Sequence, residues 1–360
     1  MSAHSIIQSF REWRQGGEPM VLATVYETLG STYSKAGHRI LIAANGDYQG
    51  LVSGGCLEGD LAERARVALE SGQAAAVTYD MRDDADELWG LGVGCNGLLR
   101  VFLQPLAPGT GYEPFASIVA ALLVTRPSSV ATVIASQLSA VPIGATLVWD
   151  GDVVSAWGLG APGIERLAAG CAAVYGRAAA SYETGPEGLE VLYSPLQPIP
   201  RLLVLGGGLD AVPLVKFAAG LGWLVTVVDH RPAYLEHGDF AAAANRELIR
   251  PAELAQVIDL SMFSAVVVMS HHLVTDRTYL AQLREVPAAY LGVLGPSARR
   301  ERLLADLGEA GAALRGRLKG PVGIDIGADS PESIALSVLA DIHAVLKGVS
   351  QAAGGSPSGD

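Results

Sequence analysis

The chain has 360 residues, of which half are hydrophobic and 17% are charged, and its formal net charge is −12. This length predicts two domains or three, and the acidic balance without a basic stripe argues against binding of nucleic acid. No apolar run reaches the roughly 18 residues of a membrane span, and the charged N-terminus around Trp13 does not resemble an export signal. Three scattered cysteines do not make a disulfide framework, so we expect a cytoplasmic protein.

The N-terminal region reads as a mixed α+β unit over residues 1–106. Strands are predicted at Met20 to Tyr26 and Arg39 to Ala43, followed by a hairpin at Asn45 to Asp47 and a helix near Glu58. Two further strands, Ala76 to Tyr79 and Leu98 to Leu103, complete the unit.

Residues 115–196 read as a degenerate second copy of that unit. The string LATVY at Leu22 recurs as VATVI at Val130, and RVFLQPL at Arg100 recurs as EVLYSPL at Glu190. Glu58 is matched with Glu165, and each is expected just before a helix. The glycine–cysteine strings SGGCLE and GLGVGCNG occur in the first copy alone, which indicates a functional site rather than a requirement of the fold.

Residues 200–347 predict a Rossmann-like domain with a doubly wound parallel sheet, followed by a disordered tail at 348–360. A buried strand from Leu202 leads into Gly206, Gly208 and Ala211 in G-x-G-x-x-A spacing, then a helix, a second strand and Asp229. Val322 to Ile326 is predicted as the last strand.

The glycine turn predicts a phosphate site. Gly206 permits the tight turn, Gly208 lets a phosphate approach the backbone, and the helix N-terminus offers N–H groups to an anion. Asp229 is expected to accept hydrogen bonds from a ribose or another polyol. The structural alternative is a doubly wound domain whose loop holds no nucleotide.

Cys56 follows Gly54 and Gly55 and precedes a helix, so its thiolate is favoured by the helix dipole. Such a thiol could ligate a soft metal, carry sulfur or act as a nucleophile, and the alternative is a small buried hydrophobe. Cys95 lies beside glycines and is read either as a pocket residue or as part of a plain turn. Cys171 is expected in the core.

Two further groups of polar residues stand out. His271 and His272 follow a predicted strand, and one of them could act as an acid or base, while helix capping is the alternative. Arg299 and Arg300 are expected either on a solvated helix face or as an anion clamp. The cluster of residues 35–39, which contains Lys35, His38 and Arg39, could meet a phosphate.

These motifs together resemble the XdhC/CoxI family, the accessory factors of xanthine dehydrogenase and aerobic carbon monoxide dehydrogenase. The resemblance covers nearly the whole chain. It is carried by GSTYSKAGHRILI at Gly30, VSGGCLEGDL at Val52, GLGVGCNG at Gly90, LLVLGGGLDAVPL at Leu202, VVDHRP at Val227, LGVLGPSARRERLL at Leu291 and PVGIDIGADSPESIALSVLADI at Pro321.

The resemblance implies a maturation factor that binds molybdenum cofactor as molybdopterin or its dinucleotide, protects it, assists its sulfuration and delivers it to a molybdenum hydroxylase such as xanthine dehydrogenase. We therefore expect an accessory protein or chaperone rather than a turnover enzyme, a homo-oligomer, and a cysteine desulfurase as a further partner. Cys56, His271 and His272 are expected to carry chemistry, with Cys56 near the metal. The expected cofactor-binding residues are Gly54, Gly55, Cys56, Glu58, Cys95, Gly206, Gly207, Gly208, Asp229, His230 and Arg231.

Two rival classes remain open at this stage. The first is an NAD(P)-dependent oxidoreductase that uses Asp229 for the ribose and His271 or His272 for proton transfer. The second is a scaffold that docks a client enzyme and binds no small ligand.

Overall fold

The computed structural model describes residues 3–82 and 97–349. The chain forms two compact units, Met1–Ile199 (unit 1) and Pro200–Asp360 (unit 2). Cys95 lies outside the described residues, as do the rest of its motif up to residue 96 and the predicted tail from residue 350 onward.

The first half of unit 1 is a five-stranded antiparallel sheet. Its elements are α1 (Ala3–Gln15), β1 (Met20–Gly30), β2 (Arg39–Ala43), β3 (Tyr48–Gln49), α2 (Glu58–Ser71), β4 (Ala75–Asp80) and β5 (Gly97–Leu106). The strand order is β3-β2-β1-β5-β4. Leu61, Ala65 and Ala68 recur at helical spacing and bury one face of α2 against the sheet.

The second half of unit 1 is another five-stranded antiparallel sheet. Its elements are α3 (Phe115–Leu123), β6 (Ser128–Ala135), β7 (Thr146–Trp149), β8 (Val153–Trp157), α4 (Ala161–Val174), β9 (Ser181–Thr184) and β10 (Glu190–Leu196). The strand order is β8-β7-β6-β10-β9. Leu167, Cys171 and Val174 pack α4 on one face of this sheet.

The two halves of unit 1 have the same order of strands, and each places a helix between its third and fourth strands. The sheets pack on each other through the faces opposite α2 and α4: Tyr26 and Phe102 contact Ile134 and Leu192. Gln104 of β5 donates to the backbone oxygen of Gly144 over 2.6 Å. These observations support the proposal that the unit is a duplication.

The halves differ in the segment before the central helix. Eight residues, 50–57, join β3 to α2, whereas three residues, 158–160, join β8 to α4. Glu58 is the first residue of α2, but Glu165 lies inside α4, so the sequence match between these two glutamates is wrong by about one helical turn. The glycine–cysteine string that begins at Ser53 therefore lies in the connection that is longer in the first half than in the second.

Unit 2 is a six-stranded parallel sheet with helices on both faces. Its strands are β11 (Arg201–Leu205), β12 (Leu224–Asp229), β13 (Asn245–Leu248), β14 (Ala265–Val268), β15 (Tyr290–Val293) and β16 (Leu318–Lys319). Its helices are α5 (Ala211–Gly220), α6 (Pro232–His237), α7 (Leu254–Val257), α8 (Leu273–Gln282), α9 (Ser297–Asp306), α10 (Glu309–Leu314) and α11 (Pro331–Leu346). The strand order is β13-β12-β11-β14-β15-β16.

Strand β11 shows why an unbroken apolar run suits this sheet. Leu202 and Val204 point into one hydrophobic core, and Leu203 and Leu205 point into the other. Both faces of the strand are therefore covered, as parallel sheets require. The predicted fold class is confirmed: a Rossmann-like unit follows an α+β unit.

The predicted last strand at Val322 to Ile326 is wrong. The last strand is β16, and the segment after it is an irregular loop. Pro321 has no N–H for a sheet, and the oxygen of Ile324 accepts the Ser337 hydroxyl at 2.5 Å instead of a strand N–H. The loop therefore packs on α11 rather than extending the sheet.

A membrane-spanning helix would have to be long and continuously apolar. Among the helices in residues 3–82 and 97–349, none is both long and apolar enough to cross a membrane.

Candidate functional site

The glycine turn after β11 depends on Gly206. Its φ is +126°, and a Cβ there would lie 2.5 Å from the backbone oxygen of Met269. Only glycine fits because both the dihedral angle and the close approach exclude a side chain. The Gly206 N–H donates to the oxygen of Val228, so the turn is tied to the end of β12.

The carboxylate of Asp229 stabilises this turn through hydrogen bonds. Its carboxylate accepts the Gly207 N–H at 2.8 Å, and it accepts the backbone N–H and two guanidinium nitrogens of Arg231 at 2.8–2.9 Å. Burial alone would raise the pKa of Asp229, but the hydrogen bonds from Arg231 and Gly207 outweigh it and hold the pKa below 3.8.

The carboxylate of Asp229 is therefore an ionised group whose hydrogen-bonding capacity is used by its own chain. Only 1% of the residue is exposed. A ribose would need free acceptor positions on this carboxylate, and a diphosphate would approach a turn that already holds a negative charge. The geometry thus does not favour the nucleotide reading of Asp229.

His230 and Arg231 stay close to this carboxylate. His230 Nδ1 lies 3.4 Å from Asp229 Oδ1. The guanidinium of Arg231 also stacks on the Tyr234 ring, 3.5 Å from its centroid. Arg231 therefore supports the Asp229 carboxylate, whereas His230 Nδ1 is buried near it without a hydrogen-bond partner in the described part of the chain.

The adjacent histidines after β14 take different positions. His272 is the N-cap of α8, where its Nδ1 accepts the Thr275 N–H at 3.4 Å. His271 has a φ of +61°, which is uncommon for a residue other than glycine, and its Nε2 lies 2.7 Å from Asp210 Oδ2. Such backbone strain is found most often at functional sites.

A cavity of about 690 Å³ opens at the carboxyl edge of this sheet. Its polar lining includes His271, Ser337 and two carboxylates, Asp210 and Asp325, and its apolar lining includes Leu294, Val322 and Ile334. Ligands of doubly wound sheets bind at this edge, and the volume suits a small organic molecule. The cavity can therefore hold a flat heterocycle whose N–H groups face the carboxylates.

Arg299 forms an ion pair at this edge of the sheet. Its Nη2 donates to the buried Asp276 Oδ2 at 2.6 Å, and Asp276 Oδ1 accepts the Ser270 hydroxyl at 2.5 Å. Arg300 pairs with Glu301 at 2.6 Å. The Arg299 guanidinium is thus engaged with a carboxylate of its own chain, and neither a solvated face nor an anion clamp describes it.

The cysteine loop of unit 1 is organised around Glu58. Its carboxylate is 1% exposed and accepts the backbone N–H groups of Val52, Ser53 and Gly55 and the Ser53 hydroxyl over 2.6–3.0 Å. Burial alone would raise the pKa of Glu58, but these hydrogen bonds outweigh it and lower the pKa below 4.5. Glu58 therefore positions the loop rather than offering a free carboxylate.

Cys56 lies at the exposed part of this loop. Gly54 and Gly55 before it have φ values of +81° and +115°, which favour glycine. Because glycine has no side chain, neither residue can cover the Cys56 thiol. Cys171 is buried in unit 1, and burial raises the pKa of its thiol to about 11. Of the cysteines in the described part of the chain, Cys56 is the one a ligand can reach.

No group of three or more His, Cys, Asp or Glu side chains in residues 3–82 and 97–349 could hold a metal ion. A metal that arrives already bound to an organic ligand needs no such set, and an exposed thiol suits a soft metal.

Sequence reasoning missed two residues of the cavity. Asp325 was hidden because Val322 to Ile326 alternates like a strand. Asp210 lies two residues after the glycine turn and could have been found from the expected ligand edge.

The fold and these sites define a class of protein in which an antiparallel unit with an exposed loop thiol is joined to a Rossmann-like unit. The chain belongs to the XdhC and CoxI family, and the resemblance seen in the sequence is confirmed. The family model described as the XdhC Rossmann domain matches residues 202–342, and that described as the XdhC and CoxI family matches residues 13–80.

Three similar proteins extend over most of the chain. A Bacillus subtilis protein described as a probable xanthine dehydrogenase subunit is 30% identical and aligns over 90% of this chain and 92% of its own. The molybdenum cofactor insertion chaperone PaoD of Escherichia coli is 23% identical over 95% of this chain and 88% of its own. The crystal structure of a xanthine dehydrogenase from Bacillus halodurans superposes with a TM-score of 0.75 at 27% identity, over 99% of this chain and 98% of that one.

Proposed function

We propose that this protein is a maturation factor that binds molybdenum cofactor, protects it, assists its sulfuration and delivers it to a molybdenum hydroxylase. Family membership supports the coarse part of this role, because one relative is named as a molybdenum cofactor insertion chaperone and another as part of a probable xanthine dehydrogenase. The observation that carries the proposal is the exposed Cys56 thiol on a loop held by the buried Glu58.

The cofactor would bring a pterin, a phosphate and a molybdenum centre held by a dithiolene. In this proposal Asp210 and Asp325 accept hydrogen bonds from the pterin N–H groups, and Leu294 and Ile334 pack on its flat face. Asp210 in turn keeps His271 in place through the 2.7 Å contact. The form of the cofactor, molybdopterin or its dinucleotide, is left open by these contacts.

In unit 1, Cys56 is the residue that we propose for chemistry with sulfur or a metal, and this assignment is separate from that of the cavity in unit 2. A thiolate is a soft ligand and a sulfur nucleophile, so the same residue could hold the centre or receive sulfur from a cysteine desulfurase. A homo-oligomer and a client hydroxylase complete the proposal. The NAD(P)-dependent alternative is weaker because the Asp229 carboxylate is used by Gly207 and Arg231.

The first prediction tests Cys56. After production in a cell that makes the cofactor, Cys56→Ala should retain at least about tenfold less pterin than the wild type, because a soft thiolate ligand is lost. The readout is the fluorescence of the oxidised pterin released from the purified protein, together with activation of the client hydroxylase.

Cys171→Ala is the matched control, since it removes a thiol that is buried in the core. This variant should keep its pterin even if its core is slightly less stable. Equal pterin content and client activation in the wild type and Cys56→Ala would contradict the assignment.

A further inference from the structure

Unit 1 contains a cavity of about 440 Å³ that the proposed function does not use. Its wall comes from α1, β2, α3 and the end of β10 and is mostly apolar, as in Ile7, Phe115, Leu122 and Leu196. The size lies within the range of pockets that bind small organic molecules.

The charged group of this cavity is Arg39. Its Nη2 is buried and has no hydrogen-bond partner in the described part of the chain. The described residues that line the cavity include no Asp or Glu. Burial lowers the pKa of Arg39 to about 10, so the guanidinium remains charged at neutral pH.

The neighbouring His38 does not add a second charge at neutral pH. His38 is an exposed residue, and partial desolvation of its ring and then the positive charge of Arg39 lower the pKa of His38 below 6.5. The described lining therefore presents one positive charge within an apolar wall. Arg39 as a whole is partly exposed, but its Nη2 is buried without an acceptor. Burying a charged donor without a partner is costly, so an arginine that served only the fold would be expected to have a carboxylate partner.

We propose that this cavity binds a small organic carboxylate with an apolar body. The planar guanidinium of Arg39 matches a carboxylate through two parallel hydrogen bonds, and a monoanion balances its single charge. Ile7, Phe115 and Leu122 contact the apolar body. A phosphate dianion fits less well, because the described lining offers it a single cation. The site uses neither Cys56 nor the cavity of unit 2, and it stands independently of the proposed function.

The experiment is calorimetric titration of the full-length protein with phenylacetate, phenylacetamide and phenyl phosphate. Phenylacetate should bind, phenylacetamide should bind at least about tenfold more weakly because it lacks the charge, and phenyl phosphate should not exceed phenylacetate. Arg39→Met should weaken phenylacetate at least about tenfold. Arg64→Met is the control, because Arg64 is exposed and already pairs with Asp60 at 2.6 Å.

Thermal unfolding separates a binding role from a structural one. Without ligand, Arg39→Met should melt at or above the wild-type temperature because a buried guanidinium nitrogen without an acceptor is removed, and phenylacetate should raise the melting temperature of the wild type alone. Arg39→Lys keeps the charge and should retain the fold with weaker binding. The proposal is overturned if Arg39→Met and Arg39→Lys both fail to fold, if the amide binds as well as the acid, if phenyl phosphate binds better, or if no probe binds.

Discussion

At the residue scale, Glu58 shows how one buried carboxylate can shape a functional loop. Four donors from residues 52–55 surround it, and the Ser53 hydroxyl that donates to it also accepts the Leu57 N–H at 2.8 Å. Ordering a loop with two glycines costs much conformational entropy, and these hydrogen bonds offset that cost. The hydrogen bonds of Glu58 therefore hold the loop that carries Cys56.

Replacing Glu58 by Gln should lower the free energy of unfolding at pH 7 by about 2–3 kcal/mol, because an amide cannot satisfy all four donors. The pKa of Glu58 in the folded state lies below its ordinary value of 4.5, so its contribution to stability is present above that pH. The contribution is lost as the pH falls from 4.5 through the lowered pKa.

Urea unfolding between pH 3 and 7 checks this prediction. Below pH 4.5 the wild type should lose more stability than Glu58→Gln. Glu12→Gln, at an exposed position of α1, serves as the control and should follow the wild type. Parallel pH profiles for Glu58→Gln and the wild type would show that the carboxylate is not the organising group.

At the element scale, the turn between β14 and α8 gives the two adjacent histidines different environments. His272 caps α8, while His271 has a positive φ, lines the cavity and lies against Asp210. The sequence indicated that one of them could act as an acid or base but not which one, because the difference depends on the left-handed backbone at residue 271.

Substitutions at these two positions should have opposite effects. His272→Ala should lower the free energy of unfolding by about 1 kcal/mol, the usual cost of a lost N-cap, and should leave pterin retention unchanged. His271→Asn keeps a residue that tolerates positive φ, so it should be nearly as stable as the wild type but retain less pterin. Thermal unfolding and pterin fluorescence measure the two effects, and a loss of stability with normal pterin in His271→Asn would remove His271 from the site.

At the scale of the whole molecule, the sequence predicts features that depend on local rules. The glycine turn follows from spacing, because Gly206 needs a positive φ, and β11 follows from its unbroken apolar run. The prediction of a last strand at Val322 to Ile326 was wrong, because the alternation of apolar residues does not show that the Ser337 hydroxyl donates a hydrogen bond to the backbone oxygen of Ile324.

Features that depend on side-chain placement or on distant residues could not be predicted. Arg231 follows Asp229 by two residues, yet nothing in the spacing shows that its guanidinium fills that carboxylate. The cavity around Arg39 is formed by α1, α3 and the end of β10, which come from separate parts of the chain. The shared strand order of the two sheets supports the proposed duplication beyond what short string matches could.

The proposed binding of molybdenum cofactor is tested most directly by mass spectrometry of the small molecules released from the purified, full-length protein. Protein made in a cofactor-producing host should release a phosphate-bearing pterin in amounts comparable to the protein, and Cys56→Ala should release much less. A nicotinamide dinucleotide in its place, or no bound small molecule at all, would contradict the account.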